Sequence, residues 1–181
     1  MGIERHVITA LSFLSELFEE VLACDLDDFG EIDREVVIDQ VDDAGRHVTS
    51  VLFALRPDIA RLKPEQRVDH LDRLFARYPF EFDCHCRTED EHIQALASRA
   101  WNELSEVLSS RDPRVREEAD FAMSHLDVVL LLLDPDMYSR ALEDASADDR
   151  IRLAAQAEAV ELMLEEAREL VKHSGYTSST P

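Results

Sequence analysis

Two pairs of carboxylates stand at a spacing that suits metal binding. Glu16 and Glu19 fall in one segment with helical periodicity, and Asp39 and Asp42 fall in the next. Residues three positions apart lie on the same face of a helix, so each pair presents two carboxylates side by side. Mg²⁺ binds to carboxylate oxygens in proteins. If these two helices pack together, the four side chains form a candidate magnesium site.

The paired acids on successive helices resemble the metal site of the all-α nucleoside triphosphate pyrophosphohydrolases. The resemblance implies Mg²⁺-dependent removal of pyrophosphate from a nucleotide, with Glu16, Glu19, Asp39 and Asp42 as the metal ligands. The chain departs from that family's pattern at Asp39, where the family prefers Glu, and no motif places a Lys or Arg for the phosphates. Solvated helix faces are the alternative interpretation, because acidic pairs at this spacing recur in the chain.

Cysteine and histidine side chains that could bind zinc lie close together in the sequence. Cys84 and Cys86 supply thiolates, and His92 supplies an imidazole. Structural zinc sites have four such ligands, and paired cysteines are commonly separated by two or more residues. The segment therefore offers a partial zinc site, and the alternative is a pair of non-ligating thiols beside a surface histidine.

Signatures of nucleophilic catalysis and of phosphate-binding loops are absent from the sequence. Serine, histidine and aspartate residues occur without a nucleophile elbow, and the 4 glycines do not form a glycine-rich loop. The sequence therefore predicts no catalytic residue and favours a non-enzymatic protein over an enzyme. It predicts no cofactor, with Mg²⁺ as the alternative.

The densest run of negative charge extends from residue 25 to residue 43, which contains nine acids and one base, Arg34. A negative surface attracts basic partners and accelerates their association. The predicted partner-binding residues are Asp25, Asp27, Asp28, Glu31, Asp33, Glu35, Asp39, Asp42 and Asp43. The last helical segment adds five glutamates between residues 158 and 169. Solubility or adaptation to salt is the alternative explanation of this acidity.

The whole chain is strongly acidic. Its 181 residues include 40 Asp and Glu against 19 Lys and Arg, a formal net charge of −21. Such a surface repels phosphate backbones and anionic membranes, so we expect neither direct nucleic-acid binding nor membrane binding. The longest purely apolar run, residues 128–133, is too short to cross a bilayer. The chain shows no secretory leader, and its 3 cysteines are too few for a disulfide framework, so a cytoplasmic protein is expected.

Apolar residues recur at intervals of three and four over most of the chain, and no segment alternates with a period of two. This pattern predicts six or seven amphipathic helices packed as an irregular all-α bundle. Capping signals mark three helix starts, at Thr88, at Asp112 before a proline, and at Ser146. We expect one domain over residues 1–175 and a disordered tail over residues 176–181.

The second predicted helix, from about Asp33 to Leu55, contains Gly45. A glycine inside a helix costs about 1 kcal/mol relative to alanine. We therefore expect a kink or a close helix crossing at this position.

Two short segments of the chain resemble each other. Residues 112–116 and residues 148–152 each combine an acidic start, arginines and a branched apolar residue, which is Val115 in the first and Ile151 in the second. Both resemble the start of a helix in HEAT-type repeats, which implies a short HEAT-like α-solenoid as the alternative fold. Two independently capped helices explain the same pattern.

The sequence supports three functional hypotheses. The first is a non-enzymatic acidic helical interaction protein that binds a basic protein partner, as an inhibitor, an immunity-type protein or a nucleic-acid mimic. The second is the Mg²⁺-dependent nucleotide pyrophosphohydrolase. The third is a helical scaffold of a halophile whose acidity is an adaptation to salt. Lys63 and Lys172 are the only lysines, which fits a halophile, although a GC-rich genome favours arginine as well. The oligomeric state is left open.

Overall fold

The computed structural model describes residues 2–23, 31–83, 86, 88–143 and 145–175. Within these ranges the chain forms eight helices and no strand, which confirms the all-α class. The helices are α1 (Ile3–Ala23), α2 (Glu31–Leu55), α3 (Pro57–Ala60), α4 (Pro64–Phe75), α5 (Glu89–Val107), α6 (Pro113–Leu133), α7 (Met137–Glu143) and α8 (Ala147–Gly175). Six or seven helices are predicted from the sequence, and the additional element is the single turn of α3.

The helices α1, α2, α5 and α6 form a closed four-helix bundle. Around the ring, α1 packs against α2, α2 against α6, α6 against α5, and α5 against α1. Contacts at both ends of the α1–α2 pair show that these helices are antiparallel. Arg56 pairs with Glu4 at one end, and Arg34 donates to the Leu22 carbonyl at 2.8 Å at the other. The ring therefore places four amphipathic helices around one core.

Polar side chains bridge α2 and α6 along their antiparallel seam. His47 Nδ1 lies 2.8 Å from Glu118 Oε2, and His125 Nδ1 lies 2.8 Å from Gln40 Oε1. The two imidazole rings stack with their centroids 5.4 Å apart. Burial lowers the pKa of His125, and the negative charge of Asp43 partly offsets this shift. These histidines are hydrogen-bonded boundary residues of the bundle.

The core lies between the four helices and is built mainly from aliphatic side chains. Residues at three- and four-residue intervals on each helix point inwards, as the amphipathic pattern predicts. Fully buried side chains include Ile8, Leu17, Leu52, Ile93, Leu96, Leu104 and Leu126. Burial of each such side chain contributes about 1.5–3 kcal/mol. This contribution allows the outer helix faces to carry many charges of one sign.

Side-chain caps begin three of the helices at the predicted positions. Thr88 Oγ1 accepts from a backbone N–H of α5 at 3.1 Å, and Asp112 Oδ1 accepts from one of α6 at 2.9 Å. Ser146 Oγ accepts from a backbone N–H of α8 at 3.3 Å. Each cap satisfies a donor that has no partner within its helix, which contributes about 1 kcal/mol.

The short helix α3 is not among the helices predicted from the sequence, in which the second helix ends at about Leu55. Pro57 occupies the first position of α3, where its missing N–H costs no hydrogen bond. Arg56, just before it, forms ion pairs with Glu4 and Asp58. A one-turn helix is too short for apolar periodicity to reveal.

The close helix crossing predicted at Gly45 is wrong. A Cβ atom built on Gly45 would meet nothing within 4 Å, and α2 continues without a break from Glu31 to Leu55. Gly45 instead lines an open groove between α1 and α2, with a volume of about 430 Å³. The glycine therefore serves no close approach between backbones.

The HEAT-like alternative is also not supported. Val115 is fully buried, whereas its counterpart Ile151 is 73 % exposed. Asp112 caps α6, whereas Asp148 lies inside the first turn of α8. The two segments share a sequence pattern without sharing an environment, and the long helices close into a ring instead of stacking in a row.

The helix α8 covers the side of the ring that α2 and α6 form, and α7 packs against α8. A second apolar cluster joins α7 and α8 to the bundle. It contains Val36 and Val128 from the bundle and Tyr138, Val160 and Leu164 from α7 and α8. The attachment of α8 decides which surface of α2 remains open to solvent.

Two further expectations concern the tail and the membrane. The predicted disordered tail, residues 176–181, lies outside the described residues. None of the described helices combines the length and the apolar character that a membrane span requires.

Candidate functional site

The outward face of α2 carries a row of carboxylates. Glu35, Asp39 and Asp42 are exposed and stand four and three residues apart, which aligns them along one side of the helix. Asp33 and Asp43 are half-buried on the same helix. We call Glu35, Asp39 and Asp42 the α2 acidic row. Of the other predicted partner-binding residues, Asp25, Asp27 and Asp28 lie outside the described residues, as does the side chain of Glu31.

The charges of the α2 acidic row are only partly compensated. Partial burial raises the pKa of Asp39, and the charges of Glu35, Asp43 and Asp42 raise it further, while Arg46 lowers it. Arg46 bonds to Asp43 at 3.2 Å and also to Asp42. Such exposed ion pairs contribute about 0–1 kcal/mol. A cation supplied from outside the chain would therefore reduce the repulsion within the row.

The helix α8 packs beside this row. Arg168 Nε donates to Asp33 Oδ1 at 2.7 Å, which connects the two helices near the start of α2. Further along, a groove of about 260 Å³ lies between them, with Asp39 and Asp42 on the α2 side and Leu170 on the α8 side. The α2 wall of the groove carries three carboxylates together with Gln40 and Arg46, and the α8 wall is apolar. This combination suits the charged head and the aliphatic stem of a Lys or Arg side chain.

The helix α8 carries carboxylates of its own beside the start of α2. Its exposed glutamates are Glu158, Glu161, Glu165, Glu166 and Glu169. Three of them line a cleft of about 720 Å³ together with Asp33, in which Arg168 and Lys172 are the basic side chains. Two acidic segments that are distant in the sequence therefore lie on neighbouring helices. We call the α2 acidic row and the five α8 glutamates together the acidic face.

The four carboxylates of the magnesium hypothesis are not assembled. Glu16 is half-buried and Glu19 is exposed on α1, and Asp39 and Asp42 are exposed on α2. The groove between these helices is lined from α1 by Phe18 and its neighbours, and neither Glu16 nor Glu19 lines it. Among the described residues, no group of three or more His, Cys, Asp or Glu side chains is arranged to hold a metal ion. The two helices pack against each other, but the two acidic pairs do not form one ligand group.

The zinc hypothesis falls partly on residues that are not described. Cys84 lies outside the described part of the chain. Cys86 takes part in a disulfide, and a disulfide sulfur is not the thiolate that zinc binds. The His92 ring packs against Phe82 with the ring centroids 5.4 Å apart. A zinc site at Cys84, Cys86 and His92 stays a prediction that requires Cys86 in its reduced form.

Sequence reasoning missed the exposed apolar side chains of α8. Ile151, Leu162 and Leu170 are 73 %, 61 % and 67 % exposed. All three belong to the apolar pattern from which the helix is predicted, and a residue in such a pattern is normally expected to face the core. The sequence does contain a signal for this exposure, because the apolar positions of α8 are spread too widely to fit on one helix face.

The functional interpretation depends on the chain's own residues. Comparisons with known proteins found no matching family model, no matching curated protein and no matching solved structure. Among the described residues, the acidic face stands out because it concentrates charge of one sign beside apolar side chains.

Proposed function

We propose that this protein is a non-enzymatic, acidic helical protein that binds a basic protein partner through the acidic face. The observation that most supports this proposal is the packing of α8 against α2, which brings three α8 glutamates into one cleft with Asp33 of α2. A partner with clustered Lys and Arg side chains would relieve the repulsion that acts on Asp39. Complementary charge of this kind sets specificity and accelerates association.

The chemistry of the face favours certain roles for the complex. An acidic protein that covers a cationic surface blocks whatever that surface binds, including phosphate backbones. This supports a role as an inhibitor, as an immunity-type protein or as a nucleic-acid mimic. Binding of nucleic acid or of an anionic membrane by the chain itself is disfavoured by its net charge of −21. The cytoplasmic location remains a prediction.

The first test neutralises the α2 acidic row. The variant carries Glu35→Gln, Asp39→Asn and Asp42→Asn, all at exposed positions, so the fold should be retained. The probe is a lysine-rich peptide of about 20 residues, and its dissociation constant is measured by calorimetry at increasing salt. We expect the variant to bind about tenfold more weakly, with a shallower dependence on salt, because attraction between charged surfaces is screened by ions.

A matched control removes the same number of charges elsewhere. Glu65→Gln, Asp69→Asn and Asp72→Asn neutralise three exposed acids on α4, which is not part of the acidic face. This control should change the affinity by less than about twofold. Equal weakening by both variants would show general attraction to a negative protein and would contradict a localised binding face.

A further inference from the structure

The helix α8 buries few residues for its length. It contains 29 residues, of which Val160, Leu164 and Ala167 are buried apolar residues. By contrast, α1 has 21 residues and buries seven. Most helical stability in proteins comes from packing of an amphipathic face, so a long helix with so little burial has a surface available for another contact.

The exposed side of α8 carries apolar side chains among its charged ones. Ile151, Leu162 and Leu170 are largely exposed, and the exposed Ala155 and Ala159 fill the interval between the first two. These positions follow one another at intervals of three, four and eight residues, which keeps them on one side of a helix, and the exposed Glu166 lies on the same side within the last interval. We call these five residues the α8 outer stripe.

The outer stripe faces away from the bundle except at Leu170, which lines the groove to α2. Leu162 in the stripe and Leu164 in the buried cluster are two positions apart, which corresponds to a rotation of about 200° around the helix. The helix therefore has an inner apolar face against α2 and α6 and an outer apolar face in solvent. Apolar residues on both sides are typical of a helix that is covered on both sides.

Carboxylates border the outer stripe. Glu158, Glu165 and Glu169 follow one edge of it at intervals of seven and four residues. Near the other edge, Leu170 lies across the groove from Asp39 of the α2 acidic row. The stripe is thus apolar from Ile151 to Leu162, with Glu166 before Leu170 and acids along its edges, which is complementary to an apolar strip bordered by bases.

We propose that the α8 outer stripe docks an amphipathic helix of the partner, with its apolar face on Ile151, Leu162 and Leu170 and Lys or Arg residues along its edges. This inference rests on the proposed function and adds the binding element and the shape of the partner. Such helix-in-groove recognition uses a few apolar anchors at helical spacing. A second copy of the chain fits the stripe less well, because it would place glutamates against glutamates.

The test compares two peptides of the same composition, about 20 residues of Leu and Lys. In one the leucines follow helical spacing, and in the other the order is scrambled. The double variant Leu162→Ser with Leu170→Ser changes exposed residues only. We expect the wild type to bind the amphipathic peptide about tenfold more tightly than the scrambled one, and the double variant to lose that preference.

A matched control changes exposed apolar residues outside the stripe. Leu22→Ser with Val68→Ser alters side chains that are 48 % and 57 % exposed on α1 and α4. This control should retain the preference for the amphipathic peptide. Hydrogen exchange provides the second measurement, and bound peptide should protect the amides of residues 151–170.

The outcomes separate this inference from the proposed function. Equal binding of both peptides, with weakening only when the α2 acidic row is neutralised, would overturn the docking of a helix and leave the basic partner intact. Sedimentation of the chain alone as a dimer that Leu162→Ser with Leu170→Ser dissociates would also overturn it, since the occupant would then be a second copy.

Discussion

Asp127 places a carboxylate inside the bundle, where it is 7 % exposed. Gln156 Nε2 donates to its Oδ2 at 3.0 Å. The indole N–H of Trp101 lies close enough to lower the pKa of Asp127, but it makes no hydrogen bond of normal geometry. These contacts do not replace the lost hydration, and burial raises the pKa of Asp127 to about 6. Ionisation of this residue therefore costs stability.

The variant Asp127→Asn should stabilise the protein at neutral and alkaline pH. Because the pKa of Asp127 is raised above 3.8 in the folded protein, the folded state holds this proton more tightly than the unfolded state. The contribution of Asp127 to stability therefore falls as the pH rises from about 4 to about 6. Asparagine removes this loss, and its side-chain oxygen can still accept from Gln156. We expect about 1–3 kcal/mol more free energy of unfolding at pH 8 in urea titrations, with the gain vanishing near pH 4.

The exposed acid Glu106 on α5 serves as the control for this prediction. Glu106→Gln should change the free energy of unfolding by less than about 0.5 kcal/mol at both pH values. If Asp127→Asn gave the same gain at pH 4 as at pH 8, ionisation would not be its cause.

The helix α2 is the element that carries both the open groove to α1 and the α2 acidic row. Gly45 lies in its interior and lines the groove. A glycine there leaves the unfolded chain more conformational freedom and weakens the helix. No neighbouring backbone requires this glycine, because a Cβ atom at Gly45 would meet nothing within 4 Å.

The variant Gly45→Ala should therefore stabilise α2 and with it the whole bundle. We expect the free energy of unfolding in urea to rise by about 0.5–1 kcal/mol. Ser50→Ala, at an exposed position of the same helix, is the control and should have an effect below about 0.5 kcal/mol. A loss of stability in Gly45→Ala would mean that the groove closes around this residue in solution.

Elements with strong local signals agree with the sequence prediction. The caps at Thr88, Asp112 and Ser146 lie where predicted, because a cap involves residues within one turn of each other. The outward direction of Ile151 is not predictable in this way. Its exposure depends on which side of α8 meets α2 and α6, and no residue near Ile151 in the sequence encodes that choice.

The whole molecule combines a buried aliphatic core with a net charge of −21. Mutual repulsion of the charges opposes folding, and salt screens it, with a Debye length of about 10 Å at 0.1 M and about 3 Å at 1 M. The closed ring of four long helices supplies the burial that can tolerate this repulsion. Folding at low salt therefore distinguishes a charged binding surface from an adaptation to a salty cytoplasm.

We expect the protein to be folded at about 20 mM KCl and to unfold cooperatively on heating. The midpoint temperature of unfolding should rise as KCl is increased to about 2 M. Circular dichroism at the helical band measures both the fold and the midpoint. A chain that folds only in molar KCl would identify the acidity as salt adaptation, as in the halophile hypothesis, and would remove the main support for a basic partner.

The sequence by itself determined the all-α class, most of the helices, their caps and the sign of the surface charge. These properties depend on composition and on residues within a few positions of one another, so they can be derived from apolar periodicity and capping patterns. The tertiary structure decided that α8 lies beside the α2 acidic row, that Glu16 and Glu19 stand apart from Asp39 and Asp42, and that Leu170 borders an acidic groove. Each of these depends on how helices from distant segments rotate and pack, because burial of their combined apolar area is a property of the whole bundle.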